Sequence, residues 1–421
     1  MCAMLVIDHN LIWRNKMTNK QNGLRALAFS MVIGIAVNGV SAQDGDCVTF
    51  DAIGEHSFAS GLFESVIEIN GSMLYGGHGW GGFTIFDIST PTQPVQLGLT
   101  VLGDYFPALN GIVVHDNLAY VSVYSVVDTT SGLYVVDIAD PTAPTEIGYL
   151  GGPPLLAIET NGTIVYTIGG DFDGLTLRVN DVSDPSSPTL ISSTALAGSR
   201  TLLSGMEIIG NLVYIANSDA GLVVYDVSDP LAPLLVGALD TQGVTYDLQV
   251  HGGIAYLADG EDGLKAIDVS VPSSPVLIGS YPTDTEIRYI DVQDNTCYAT
   301  VFHTGVIALD IEDPSSITLL GTSVPEDNLV ADIVVHGEIL YSADVAKLRV
   351  DAITNTCGFQ CSMDRDCPAD MNRDGFLNTF DISQFLASFA VQDPEADFTC
   401  DGEFNFFDVS LWLNEFIGGC Q

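Results

Sequence analysis

Positive charge is scarce in this chain: 12 Lys and Arg stand against 54 Asp and Glu in 421 residues, a formal charge of −42. Binding to phosphates needs Lys and Arg to displace counterions, so this deficit argues against nucleic acid and anionic lipid as partners. It suits divalent cations, high salt or basic partners, and it serves solubility equally well. Also missing are a G-x-S-x-G elbow, a phosphate-cradling loop and H-E-x-x-H, so the common sequence signatures of hydrolases and nucleotide enzymes are not there. The 3.6-residue apolar spacing of helical repeats is absent from most of the chain. The two C-x-x-C-like spacings of a zinc site are absent too, which leaves disulfides as the better reading of the cysteines.

The few basic residues are not spread evenly. Arg14, Lys16, Lys20 and Arg25 precede residue 43, as does one acid, Asp8; removing 1–42 leaves 8 basic and 53 acidic residues, a formal charge of −45. Lys20 and Arg25 form a positive n-region, Ala26 to Val37 a short apolar core, and Val40-Ser41-Ala42 a small-residue cleavage signal before Gln43. The apolar run falls short of the ~20 residues a spanning helix needs. Residues 1–42 therefore read as a signal peptide with an upstream extension, the start being Met17. The expected product is secreted or extracellular, with a surface-attached state open to it and no transmembrane helix. Its seven cysteines, Cys47, Cys297, Cys357, Cys361, Cys367, Cys400 and Cys420, would meet an oxidising compartment.

Internal repeats fill most of the remainder. GLVVYDVSDPLAPLLVG (221–237) recurs as GLYVVDIADPTAPTEIG (132–148) and GLKAIDVSVPSSPVLIG (263–279), with weaker copies at 82–98, 176–190 and 305–321. Their aspartates are Asp87, Asp137, Asp181, Asp226, Asp268 and Asp310, at intervals of 50, 44, 45, 42 and 42, and KLRVDAI supplies a truncated seventh at Asp351. Each copy follows an alternating stretch that ends in tyrosine: Tyr75, Tyr120, Tyr166, Tyr214, Tyr256, Tyr298 and Tyr341. Asn70-Gly71 marks a tight hairpin, and D-P-x-x-P a turn, because proline fixes φ and pushes its predecessor out of the helical region. Four short strands per repeat of about 40 residues is the arithmetic of a propeller blade. The expectation is an all-β, seven-bladed β-propeller of four-stranded blades over 43–358. Six blades plus an irregular one stays open, since the 50-residue first interval hints at an insertion near 121–131.

The strand written here GLVVYD or GLYVVD makes residues 47–355 resemble the LVIVD-repeat family of β-propellers. The resemblance implies a propeller outside the cytoplasm and supplies no reaction. The seventh unit stops after its third strand, while CVTFDAIG (47–54) is a β-like segment without a unit. That segment is expected to supply the missing outer strand and hide two sheet edges. A Cys47–Cys357 disulfide would follow, with Cys47–Cys361 as the competitor.

Three histidines look like a metal set, but His115, His251 and His336 each lie five residues before the repeat tyrosine. Asn70, Asn161, Ile209 and Gln293 hold the equivalent places, so all seven belong at one hairpin per blade, spread around the ring. His78, His303, Asp171, Asp173, Asp219, Asp259 and Asp262 fall in the loops after the tyrosine strand. They could line one face and hold an ion, although turn-forming Asp is expected there anyway.

After a linker at 359–366 the composition changes. DMNRDGFLNTFD (370–381) and DFTCDGEFNFFD (397–408) fit the twelve-residue calcium loop, with oxygen ligands at positions 1, 3, 5, 7, 9 and 12. In the first these are Asp370, Asn372, Asp374, the carbonyl of Phe376, Asn378 and Asp381. In the second they are Asp397, Thr399, Asp401, the carbonyl of Glu403, Asn405 and Asp408. Gly375 and Gly402 take the sharp sixth position. One helix is expected after each loop: Ile382, Phe385, Leu386 and Phe389, then Val409, Trp412, Leu413, Phe416 and Ile417. Residues 367–421 resemble a GC-type dockerin module, from Cys367-Pro368-Ala369-Asp370 to Gly419-Cys420. The resemblance implies two calcium ions and a cohesin-like partner. Duplication should bring the ends together in a Cys367–Cys420 clasp worth ~3–4 kcal/mol. Cys400 is then free or paired with Cys361. Thr379-Phe380 and Phe406-Phe407 are a docking surface or core, and the loop pair could merely stabilise the terminus.

The function expected is a non-enzymatic binding or scaffold protein, its propeller displaying loops to a protein or glycan and its dockerin-like module a calcium-dependent anchor. The alternative is an extracellular metal-dependent hydrolase or lyase with its site on the propeller's loop face, at residues such as His78 or His303.

Overall fold

Short alternating segments closed by Gly, Asn, Asp and Pro produce, among the described residues, 28 strands in seven antiparallel four-stranded sheets. The computed structural model describes residues 48–57, 64–78, 82–103, 108–125, 130–171, 174–196, 205–302, 304–323, 330–344 and 347–355. It describes in addition six positions between 382 and 409. Blades 1 to 6 occupy 64–101, 108–151, 155–195, 206–239, 247–281 and 287–322, each with its strands in chain order from the axis outward. Blade 7 takes its three inner strands from 330–355 and its fourth from the amino-terminal strand Val48–Ser57. That strand runs antiparallel to Lys347–Asn355, from Val48 opposite Asn355 to Ser57 opposite Lys347. The count is therefore seven, and the long first interval reflects a longer loop between Tyr124 and Gly132 in blade 2. Cys47 and Cys357, one residue before Val48 and two after Asn355, lie outside the described residues.

Each blade carries apolar side chains on both faces, and seven core clusters fill the seven gaps between neighbouring blades. One repeat tyrosine enters each cluster, and all seven are buried to within 6%. The repeat aspartates are structural. Asp87, Asp137, Asp181, Asp226, Asp268 and Asp310 each accept the backbone N–H two residues on, at 2.8–2.9 Å, and so hold the start of the turn. Asp351 has no turn to cap and takes a bidentate bond from Arg349 instead.

Towards the rim the blades touch through backbone. A methyl group at Gly98, Gly148, Gly237 or Gly279, all in fourth strands, would overlap the carbonyl oxygen of Pro141, Pro185, Pro272 or Pro314 in the next blade's turn. Blade 3 has Ser192 there, and its hydroxyl donates to the Pro230 carbonyl at 2.7 Å. At the last two joints Gly321 faces the carbonyl of Val48, and Gly54 that of Pro91. A β-bulge precedes this residue in every fourth strand, including Val48–Ser57. The amino-terminal strand is therefore built as a fourth strand in detail.

Two outcomes follow for stability. Gly148→Val should cost about 3 kcal/mol or more, because backbone must yield to a new side chain, whereas Ser192→Gly should cost about 1 kcal/mol for one hydrogen bond. Urea denaturation of both variants checks the ranking; equal losses would mean that the rim contact is loose. Deleting 48–57 leaves the outer edge of Lys347–Asn355 unpaired and should lower Tm by on the order of 10 °C, read by differential scanning calorimetry.

Candidate functional site

The first strand of each blade has one edge paired with its own sheet and the other turned to the axis. Backbone N–H groups on that free edge must find acceptors, and side chains of the preceding blade provide them. Glu207 accepts from Val250 N–H (2.5 Å), Asp247 from Ile290 (3.0 Å), Gln249 from Val292, Asp291 from Val335 (2.5 Å) and Asp332 from Ile67 (2.8 Å). Gln249 also donates to Asp291 at 3.0 Å. These struts run in one direction, from blade 4 through 5, 6 and 7 to blade 1.

Two tiers are visible when the strands are aligned on their tyrosines. Seven residues before the tyrosine stand Glu68, Val113, Glu159, Glu207, Gln249, Asp291 and Val334. Each of the seven is paired across its hairpin with the tyrosine itself. Nine residues before it stand Val66, Gly111, Ala157, Gly205, Asp247, Tyr289 and Asp332, and all seven line one cavity of about 180 Å³ on the axis. Asn110, Leu156, Ile158, Met206 and Tyr246 complete the wall. Every blade contributes, and the wall is two-sided: apolar on blades 1, 3 and 4, acidic and phenolic on blades 5 to 7. At its edge the Arg288 guanidinium lies 5.6 Å from the ring centres of both Tyr246 and Phe302, with Glu286 at 2.8 Å.

No ion pair among the described residues reaches the channel acids. Burial therefore dominates their protonation. It pushes Asp247 up to about 7 despite N–H bonds from Ile290 and Leu248, and raises Asp332 well above the carboxylate range. Glu207 rises to about 7 by burial, against the Val250 N–H. Glu68 reaches about 7 by burial and then by the Asp291 charge, and Glu159 about 8 by burial and then by Glu68. Asp291 is raised as well, again by burial first. Glu68 takes no hydrogen bond from any described residue, and Glu159 only a 3.3 Å one from its neighbour Thr160.

The sequence-predicted residues lie elsewhere. His115, His251 and His336 are exposed at the hairpins after the first strands, one in each of three blades, opposite Leu118, Ile254 and Ile339. No three His, Cys, Asp or Glu among the described residues come together closely enough to hold a metal. Asp259 does not line an open face. Its side chain is fully buried, takes the Thr241 hydroxyl at 2.6 Å and has Lys265 at 3.9 Å. Asp219 and Asp262 are exposed, and His78 and Asp171 end strands. Asp173, His303 and all twelve calcium-ligand positions from Asp370 to Asp408 lie outside the described residues. Of the carboxy-terminal segment, Ile382, Phe385, Leu386, Ser388, Phe389 and Val409 are described, and all six are helical. Among the described residues no helix is long and apolar enough to cross a membrane. The channel acids escaped the sequence reading, although their fixed offsets of seven and nine from the tyrosine were there to be read.

A sequence model described as the LVIVD repeat matches residues 65–100, 110–150, 170–195, 204–241 and 242–283, which fall in blades 1 to 5. The chain carries LVIVD repeats. Blades 6 and 7 lie beyond the matched segments yet keep the same strand order. Among curated proteins none matches the sequence. Among solved structures, the computationally designed protein Ika8 superposes with a TM-score of 0.51 at 15% identity, over 69% of this chain and 83% of that one, which shows a shared fold.

The buried acids give the ring a pH dependence of definite sign. Unfolded, these carboxyls titrate near ~4; folded, Glu68 holds its proton to about 7 and Glu159 to about 8. The folded state binds more protons between those limits, so this contribution is complete below pH ~4 and lost as pH rises through 7–8. Glu68→Gln with Glu159→Gln should match the parent at pH 4 and exceed it by on the order of 2 kcal/mol or more at pH 8.5. Urea denaturation at the two pH values reads this directly, and a pH-independent difference would refute it.

Proposed function

We propose that the protein is a non-enzymatic extracellular binding protein, with the propeller as recognition platform and residues 367–421 as a calcium-dependent, dockerin-like anchor for a cohesin-like partner. The observation that carries the recognition half is the axial cavity. All seven blades converge on it, and Tyr246, Phe302 and Arg288 stand at its edge, groups that stack on and hydrogen-bond a glycan or a protein side chain. The anchoring half is supported by the duplicated ligand spacing, Asp370 to Asp381 and Asp397 to Asp408. The helical backbone at Ile382, Phe385, Leu386, Phe389 and Val409, where a loop-then-helix pattern requires it, agrees. A secreted location is supported by the leader and by the acidity of the remainder.

Calorimetry on the full chain should give two calcium ions bound per molecule, and none after Asp381→Ala with Asp408→Ala. The parent, immobilised in calcium, should retain a cohesin-like protein from the native extracellular fraction and release it with EDTA, and the double variant should retain none. Calcium binding without any calcium-dependent partner would reduce the module to a stabilising tail.

A further inference from the structure

The axis holds two features that the struts do not explain. One is the cavity of about 180 Å³. The other is the pair Glu68 and Glu159, which occupy strut positions without making struts. Both are enclosed by the ring yet keep accessible surface, as side chains facing an internal lumen do. The Tyr289 hydroxyl, also enclosed and on the cavity wall, has no hydrogen-bond partner among the described residues. An enclosed carboxyl and a phenol left unpartnered are costly unless a ligand completes them.

The chemistry of that ligand can be narrowed. The channel presents Glu68, Glu159, Glu207, Asp247, Asp291 and Asp332 with no basic side chain paired to any of them, so the ligand is cationic. The acids are too dispersed for any three to share one metal ion, so the cation spans a distance. Val66, Leu156, Ala157, Ile158 and Met206 form an apolar wall against Asp247, Tyr289 and Asp332, so its body is aliphatic. The two tiers are two residues apart along each strand, roughly 6–7 Å, the reach of a four-carbon diamine.

We propose that the axial channel is a binding site for a linear aliphatic amine. One ammonium group is met by Glu68 and Glu159 in the tier seven residues before the tyrosines. The other is met by Asp247, Asp332 and the Tyr289 hydroxyl in the cavity, and the methylenes lie along Val66, Ala157 and Ile158. Each carboxylate oxygen of Asp247 and Asp332 already accepts one backbone N–H and retains a second lone pair for an ammonium. The site belongs to the propeller alone and does not depend on the calcium-anchor reading.

The test is isothermal titration of the full chain, calcium-saturated at pH 8.5, with 1,4-diaminobutane at 0.15 M and 0.5 M NaCl. Butylamine, 1-butanol and further calcium serve as comparison probes. The expected result is one saturable site per chain that persists at the higher salt, weaker binding of butylamine and none of 1-butanol. Glu68→Gln with Glu159→Gln should weaken the diamine at least tenfold. Ala157→Leu, which fills the lumen from the apolar side and leaves every acid in place, should do the same, and Asp219→Asn at an exposed loop should change nothing. Three results would each overturn the proposal. One is weak multi-site uptake abolished at 0.5 M NaCl, the mark of general attraction to an acidic surface. The second is unchanged binding in both channel variants. The third is one-for-one displacement of the diamine by calcium, which would make the site one for an inorganic ion.

Discussion

The joint between neighbouring blades is the interaction on which the rest of this protein depends. No four-stranded sheet here has a polar face to offer water, so each blade is stable only while both flanks are covered, and seven blades cover one another only if the ring closes. The joint has three levels. At the rim a glycine lets a proline carbonyl lie against the fourth strand. Midway an apolar cluster takes in one tyrosine. At the axis a side chain of one blade accepts a free-edge N–H of the next. A change at one level must be absorbed at the others, because interiors packed this closely transmit displacement instead of dissipating it.

Closure explains why the first strand of the ring belongs to its last blade. The amino-terminal strand must cover the edge of Lys347–Asn355 and also reproduce the rim contact on both sides. It does so with the Val48 carbonyl against Gly321, in place of a proline turn, and with Gly54 against Pro91. The same strand joins the first and last segments of the ring and packs against the core clusters on both its sides, so detaching it loosens two joints at once. A strand that merely paired, without the bulge at Ala52 to Gly54, would hold the edge yet leave both rim contacts unmade.

What could be read from the sequence follows from what repeats. Tyr75 to Tyr341 and Asp87 to Asp351 recur because every blade needs the same core contact and nearly the same turn, and recurrence gave the blade count, the strand pattern and the closing strand. Glycines such as Gly98 and Gly148 recur as well, but their reason is a carbonyl belonging to the next repeat, which periodicity within one repeat does not reveal. The channel residues were hidden for the opposite reason. Glu68, Gln249, Asp247 and Asp332 keep fixed offsets from the tyrosine but their residue types change from blade to blade, and a single polar residue in an alternating strand looks like an outward-facing one. Only the ring shows that this face turns to a shared axis. The histidines show the converse: His115, His251 and His336 recur imperfectly at one hairpin, which is why they suggest a metal set in one dimension and stand apart in three.

The axis is also where the ring is least symmetric. From blade 4 round to blade 1 every joint has a carboxylate or amide strut, whereas blade 2 reaches blade 3 through the Asn110 amide at 2.9 Å to the Leu155 carbonyl. At the joints from blade 1 to 2 and from 3 to 4 the described residues make no strut, although Glu68 and Glu159 are in place to do so. Those two glutamates bracket Val113, which offers nothing to bridge. The strutted arc contains the joints that close the ring, where separation of its first and last strands must be resisted. The unstrutted arc contains the apolar side of the cavity, where nothing but packing holds the first strands apart. A uniform ring would need an acceptor at all seven positions and would fill its own lumen with bonded carboxylates. By leaving two unbonded, this chain keeps an axial space whose charge is set by protonation and not by its own basic residues, of which it has almost none to spare.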